Sequence, residues 1–325
     1  MKKKFAFLLV FVMLTCLMAG CGADNSSDAD SNSSGEKQLK IGISMSEDTQ
    51  FLTNVRKAAE KKAAELGVEV VVNSGQGQVE KQINDMETFI TMGVDAIVFN
   101  PLDRDAMNEV VDKVKEAGIP LVEVNTFTSN DNYDVYVGSP EEDAGRIQGE
   151  WILKNLGESG GIAIMYGQMG HSGQLGRYEG LKTSLLDKYP GWEVIVDKTG
   201  EWKREMGQSM MEDWLQSYKG KINVIASQND EMAMGAIAAL EEAEMLDQIK
   251  VLGIDASPDA IKLVQEGKMA LTVFQDSFGQ GSKALEVAVD LASGKPSPGK
   301  KVDIPFQEVN KDNAAEFEQY LKEWE

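Results

Sequence analysis

The sequence predicts an α/β protein of two doubly wound parallel-sheet lobes, and three observations carry that reading. From Leu39 onward, short apolar runs alternate with longer stretches whose apolar residues recur at helical spacing. Runs such as Ala96-Ile97-Val98-Phe99 and Val224-Ile225-Ala226 are continuously apolar, as strands buried on both faces must be. The strand–helix units follow one another in two series of roughly five, and repeated units of this kind require parallel sheets with helices on both faces.

Taken in order, a strand over 39–44 leads to a helix over 51–66, with Phe51, Val55, Ala58, Ala59 and Ala63 on one face. Strand 68–72 leads to helix 78–92, and strand 96–99 to helix 104–117, which Gly118 closes. Strand 120–124 and a short strand 135–138 complete the first series. Helix 141–156 opens the second and is followed by strand 162–166, helix 176–188, strand 193–198 and helix 205–218. Strand 224–226 runs into an alanine-rich helix through the polar turn Ser227-Gln228-Asn229-Asp230, where Asn229 or Asp230 can cap the helix. Strand 250–254, helix 258–266, strand 271–274, helix 279–292, strand 302–305 and an acidic helix 313–323 end the chain.

Composition narrows the function. The chain has 325 residues and a net charge of −21, with 53 acidic against 32 basic residues. That balance argues against nucleic acid, whose phosphates require a basic face. At the N-terminus, Lys2-Lys3-Lys4 precede an apolar run from Phe5 to Leu14, the pattern of a secretory signal and too short to span a membrane comfortably. The following Leu17-Met18-Ala19-Gly20-Cys21 resembles the lipobox of bacterial lipoproteins, with Met18 where leucine is usual. The resemblance implies cleavage after residue 20 and a lipid on Cys21, which anchors the chain to the membrane. Cys16 then leaves with the signal, and no cysteine remains for a disulfide or a thiolate metal site. Residues 21–38, rich in Ser, Asn, Asp and Gly, read as a disordered tether.

The strand ends carry the chemistry. Five strands finish in Asn100, Asn125, the turn 227–230, Asp255 and Gln275-Asp276. Amide side chains bind adjacent hydroxyls as donor and acceptor at once, and a carboxylate such as Asp255 accepts hydroxyl hydrogens in charge-assisted bonds. A cleft lined this way suits a neutral polyhydroxy compound and lacks the basic clamp a phosphate needs. Asn and Asp also populate turns for backbone reasons alone, so each position singly reads equally as punctuation. Phe51 and Trp202 each offer a face to the C–H side of a sugar ring, or pack as ordinary partly exposed aromatics.

Gln228-Asn-Asp-Glu-Met-Ala-Met-Gly235, Leu252-Gly-Ile-Asp-Ala-Ser-Pro-Asp259 and Asn100-Pro-Leu-Asp103 resemble the ribose and glucose/galactose type I periplasmic-binding proteins of ABC importers. The resemblance runs from about Leu39 to Pro305. It implies hinges near Ser139, Asp276 and Pro305, with residues 39–138 plus 277–304 in one lobe and 139–276 plus 305–325 in the other. It carries ligand contacts onto Phe51, Asn100, Asn125, Trp202, Asn229, Asp255 and Gln275. Ribose binders have Asp-Arg where this chain has Asn125-Thr126, and an arginine about where Leu175 stands; His171, Gln174 and Arg177 are candidates to replace it. Thr49, beside Phe51, is a further candidate. A hexopyranose is therefore preferred over ribose. The calcium loop of the glucose/galactose branch is missing, and no metal or cofactor is expected.

Enzyme readings lack parts. His171 is the single histidine, so no multi-histidine metal site can form, and a Ser-His-Asp triad would have to be built around it. Gly294-Lys-Pro-Ser-Pro-Gly299-Lys300-Lys301 mimics a phosphate loop but has lysine in place of the Ser/Thr. Glu141-Glu142 reads as acidic charge at a helix N-terminus. Two functions remain: a monomeric, lipid-anchored receptor delivering a monosaccharide or polyol to an ABC permease, and a lipid-anchored sensor presenting a sugar-like signal to a membrane receptor kinase.

Overall fold

The computed structural model describes residues 38–324; the signal segment 1–20, Cys21 and the tether to residue 37 lie outside the described residues. Among the described residues the chain runs β1 (Lys40–Met45), α1 (Gln50–Leu66), β2 (Glu69–Ser74), α2 (Val79–Met92), β3 (Ala96–Phe99), α3 (Asn108–Glu116), β4 (Leu121–Val124), β5 (Val135–Gly138), α4 (Glu141–Leu156), β6 (Ser159–Tyr166), α5 (Ser172–Leu181), β7 (Gly191–Thr199), α6 (Arg204–Ser217), β8 (Val224–Ser227), α7 (Asp230–Glu242), β9 (Lys250–Leu252), α8 (Pro258–Glu266), β10 (Thr272–Phe274), α9 (Ser277–Ala292), β11 (Lys301–Asp303), β12 (Gln307–Val309) and α10 (Ala314–Lys322).

The first sheet has the order β11-β5-β4-β3-β1-β2 and is parallel throughout. The second, β7-β6-β8-β9, is also parallel. Single bridges, Leu252 to Leu271 and Asp255 to Phe274, extend it toward β10, on which β12 lies antiparallel. Alternation along the strands covers both faces, as a parallel sheet requires. In the first sheet Val98, Val122 and Val124 pack with Val55 and Ala59 of α1 and Leu285 and Ala288 of α9. Ile97, Phe99 and Leu121 point the other way, onto Met86 and Phe89 of α2 and Val110, Val111 and Val114 of α3. Each such fully buried aliphatic side chain contributes about 1.5–3 kcal/mol. The second sheet is covered by α4 and α5 on one face and by α6, α7, α8 and α10 on the other.

The chain passes between the two sheets three times: from β5 into α4, from β10 into α9, and from β11 into β12. Helix α9 therefore packs on the first sheet although it follows the strands of the second in sequence.

Several boundaries differ from the sequence reading for local reasons. The helix expected over 104–117 begins at Asn108, because the Asp103 carboxylate accepts from the amides of Asp105 (2.9 Å) and Ala106 (2.8 Å) and holds a turn there. The helix expected over 176–188 begins four residues earlier, at Ser172, and ends in a π-helical turn, Lys182–Leu186. Strand 250–254 stops at Leu252 as a regular strand; Asp255 still bridges Phe274, and its φ of 126° turns the chain toward α8. The strand expected over 302–305 is β11, and polar three-residue β12 was not anticipated.

Candidate functional site

The carboxyl ends of β1, β4, β6, β8, β9 and β10 converge on a cavity of about 430 Å³ between the sheets. Strand order reverses between β1 and β3 in one sheet and between β6 and β8 in the other, which opens a crevice at these ends. Phe51, Asn125, Trp202, Asn229, Asp255 and Gln275 all line the cavity, as do Thr49, His171 and Arg177. Two of the candidates do not. Asn100 is buried at the end of β3 with its amide fully engaged. Its Oδ1 accepts from the Ser46 hydroxyl (2.6 Å) and amide (3.3 Å), and its Nδ2 donates to the Val124 carbonyl (3.0 Å) and Thr126 Oγ1 (2.8 Å). It ties the ends of β1, β3 and β4 together. Gln174, also buried, accepts from the Gly170 amide (3.3 Å), and its carbonyl accepts from Gln228 Nε2 (2.9 Å).

Three of the sequence-selected lining residues are also helix caps. Thr49 Oγ1 accepts from the Leu52 amide (3.2 Å) at the start of α1, His171 Nδ1 from Gly173 (3.1 Å) at α5, and Asn229 Oδ1 from Met232 (3.0 Å) at α7. Capping and cavity lining coexist because each cap lies in the short loop that leads from a strand's carboxyl end into the next helix. Asn229 Nδ2 also donates to the Trp202 carbonyl (3.0 Å), fixing a loop in which Glu201 and Trp202 are both left-handed, at φ 52° and 65°. The indole lies so close to Gly167 that a β-carbon there would approach it to 2.0 Å. His171 meets Trp202 edge to face at 5.2 Å. With Nδ1 accepting, the imidazole proton sits on Nε2. Burial, reinforced by the Arg177 charge, lowers the His171 pKa to about 3, so the ring is neutral at neutral pH.

Arg177 is the centre of the polar wall, and its place follows from how α4 meets α5. A β-carbon on Gly145 or Gly180 would stand 1.9 Å from the facing helix's backbone oxygen, so only glycine permits this approach. The approach sets Arg177 beside Glu141. Its Nε donates to Glu141 Oε2 (2.8 Å), Nη2 to Gln275 Oε1 (2.9 Å) and Nη1 to the Gln228 carbonyl, while Asp255 Oδ1 lies 3.9 Å from Nη1. The guanidinium also faces the rings of Trp202 (5.5 Å) and Phe306 (5.9 Å). Burial works against its charge, but Glu141 and Asp255 outweigh that effect and raise its pKa further. The glutamate read from sequence as helix-terminal charge is thus Arg177's buried counter-ion, a long-range pairing with no local signature.

Asp255 presents an acceptor next to these donors. Burial pushes its pKa well above the carboxylate range, against the pull of Arg177. Behind it, Asp230 accepts from Thr272 Oγ1 (2.7 Å) and the Ser257 amide (2.8 Å), and burial raises its pKa to about 7 despite those bonds. Around these groups stand charged residues that sequence reasoning did not select: Glu47 from the β1 side, and from the second lobe Lys203, Arg204 and Glu205 at the start of α6 and Glu231 at the start of α7. Burial raises the Glu47 pKa and Lys203 opposes it, so charges from the two sides of the cavity face each other. Most of the basic ones are paired locally, Lys203 with Glu201 (3.0 Å) and Arg204 with Glu231 (2.8 Å).

The profile of the family described as "Periplasmic binding protein domain" matches residues 41–296. A putative rhizopine-binding protein of Rhizobium meliloti is 35% identical over 286 residues, covering 86% of this chain and 92% of that one. The crystal structure of an ABC transporter solute-binding protein from Bacillus halodurans, with bound myo-inositol, superposes with a TM-score of 0.83 at 38% identity, over 87% of this chain and 98% of that one. The fructose-binding periplasmic domain of a hybrid two-component system superposes equally well, TM-score 0.83, at 25% identity over 88% and 95% of the two chains. With parallel sheets in two lobes, three crossings and a cavity at the strand ends, the chain belongs to the periplasmic binding protein family, in its type I, sugar-binding branch.

Proposed function

We propose that the cavity captures one six-membered ring polyol, a hexopyranose or a cyclitol, and delivers it to an ABC importer from a lipid anchor on Cys21. The observation that carries this reading is the shared wall of Arg177, Asp255, Asn229, Gln275 and Asn125 beside the faces of Phe51 and Trp202. Vicinal hydroxyls match paired donors and acceptors, and the ring's C–H faces match the aromatics. Glu141 neutralises Arg177 from behind, so the wall offers donors without an unpaired cation, which favours a neutral ligand over an acidic one. The myo-inositol bound to the similar Bacillus halodurans protein supports the cyclitol member of the class. A thermal-shift panel of myo-inositol, D-glucose, D-ribose and xylitol tests it: the cognate ligand at ~100 times its Kd stabilises by about 2.7 kcal/mol. A shift with xylitol alone overturns the six-membered ring, and a shift with ribose alone overturns the hexopyranose or cyclitol.

Asp255 is expected to accept hydroxyl hydrogens at roughly 1.5–3 kcal/mol per charge-assisted bond. Asp255→Ala should weaken binding at least tenfold, about 1.4 kcal/mol. Because these bonds favour the ionised form of a group whose pKa is raised in the free protein, binding releases protons and tightens as pH rises. Calorimetry that finds unchanged affinity in the variant would reduce Asp255 to a turn residue.

Cys21→Ser should release the protein into the medium or leave its signal uncleaved. Continued partition into detergent at the processed mass contradicts the anchor. The similarity to a two-component sensor domain supports a second reading, in which the same ligand is presented to a membrane kinase. Crosslinking in membranes with ligand present separates the two by whether a permease or a kinase is captured.

A further inference from the structure

The three crossings between the lobes are joined by buried polar side chains that form a nearly continuous chain from one wall of the cavity to the other. On the first-lobe side, Asn125 Nδ2 donates to Gln280 Oε1 (3.3 Å), and Gln280 Nε2 donates to Ser139 Oγ (3.0 Å) in the first crossing. The Tyr136 hydroxyl donates to the Asn125 carbonyl (2.9 Å) and approaches that of Ser139 (3.4 Å), closing the group on itself. Two residues on from Ser139, past Pro140, Glu141 takes up the chain. It accepts from Arg177 Nε (2.8 Å) and from Gln275 Nε2 (3.4 Å) of the second crossing. Arg177 donates in turn to Gln275 and faces Phe306 of the third crossing and Asp255 of the cavity. The third crossing is also tied to the first, where the Ile304 amide donates to the Gly138 carbonyl (2.8 Å).

Gln280 is fully buried, on α9, and is not part of the cavity wall. Buried polar groups must keep partners in every populated state, so such a chain has few allowed arrangements and switches between them together. Pro140, with its fixed φ, carries a displacement of Ser139 to Glu141 with little slack.

We propose that the chain Asn125–Gln280–Ser139, continued through Pro140 to Glu141–Arg177–Gln275, transmits occupancy of the cavity to the angle between the lobes. Gln280 is a positioning residue that acts through Asn125 and Ser139. The inference rests on the reading of the cavity as the ligand site, and its test has one arm that needs no ligand.

In the first arm, hydrogen exchange is followed by mass spectrometry on the full ligand-free chain. Gln280→Met should speed exchange beyond Pro140, in the first turns of α4 and around Arg177. Gln280→Glu, compared at a pH low enough to keep the buried carboxyl protonated, still accepts from Asn125 and bonds Ser139, and should restore protection. Faster exchange confined to Asn125, Ser139 and α9 overturns the proposal, as does a lack of recovery with glutamate. If the methionine variant does not fold, Gln280→Asn, too short to span Asn125 and Ser139, takes its place. In the second arm, myo-inositol is titrated by calorimetry. Gln280→Met should weaken binding by at least about fivefold, within the range of measured couplings. The double variant with Arg177→Lys should lose no more than the worse single variant; losses that multiply mean the sites are independent and overturn the proposal. A wild-type protein that ignores myo-inositol counts against the ligand class alone, and the exchange arm still decides.

Discussion

Arg177→Met is expected to destabilise the ligand-free protein by about 3–5 kcal/mol, because it strands the buried Glu141 carboxylate without its cation. Both side chains are nearly inaccessible, at 6% and 5% exposure, so the pair is held largely out of water. The measurement is the urea midpoint, with the slope checked for constancy. Adding Glu141→Gln to Arg177→Met should return most of the loss, since it removes the stranded charge while keeping the shape. Arg177→Lys should fall between, because one ammonium cannot reach Glu141, Gln275 and the Gln228 carbonyl from a single planar fork. A loss below 1 kcal/mol for the methionine variant, a value ordinary for surface changes, would mean the pair is solvated.

The second large effect lies away from the cavity, at Glu123 on β4. This side chain is completely buried; its oxygens accept from the Thr128 amide (3.0 Å) and hydroxyl (2.7 Å). Burial nonetheless raises its pKa to about 7, with the Thr128 bonds and the Lys300 charge opposing. A carboxyl whose folded pKa exceeds its unfolded value binds its proton more tightly when folded. Stability is therefore fullest below the unfolded pKa, near 4.5, and falls as pH rises through the folded value near 7. The expected loss across that window is about 3 kcal/mol. Glu123→Gln cannot ionise, so its unfolding free energy should stay flat between pH 5 and pH 8, apart from slopes common to both proteins. Equal pH slopes for the two would show that Glu123 ionises in the fold without penalty.

The order of elements and the convergence of strand ends were legible because both rest on local pattern. Continuous apolar strands, amphipathic helices and polar turns need only near neighbours to be read. The role of each strand-end side chain was not, because an asparagine that closes loops and one that faces a cavity have the same local sequence. Asn100 and Asn125 each follow a buried four-residue strand, yet Asn100 is saturated by Ser46, Val124 and Thr126 while Asn125 reaches the cavity. The Arg177–Glu141 pair, the charged residues Glu47 and Glu205 at the cavity, and β12 were missed for a related reason. Each depends on residues far apart in sequence, and a three-residue polar strand such as β12 carries no periodicity to detect.

The threefold passage between the sheets also fixes the order in which the chain is able to fold as it is made. The first sheet is left with its α9 face bare and its β5 edge open until residues 277–303 exist, although its other strands end at Gly138. At typical synthesis rates the wait is on the order of ten seconds. Through that interval Val98, Val122 and Val124 have α1 but lack the part of their cover that α9 supplies, and the nascent first half has no finished native state to fall into. The second sheet is nearly complete earlier, lacking only β12 and α10 once β10 has emerged. A polypeptide stopped after Gly138 is therefore expected to aggregate rather than persist as a half-protein. For a protein of an extracytoplasmic family, a topology that leaves the first sheet uncovered until residues 277–303 are made is compatible with export before folding.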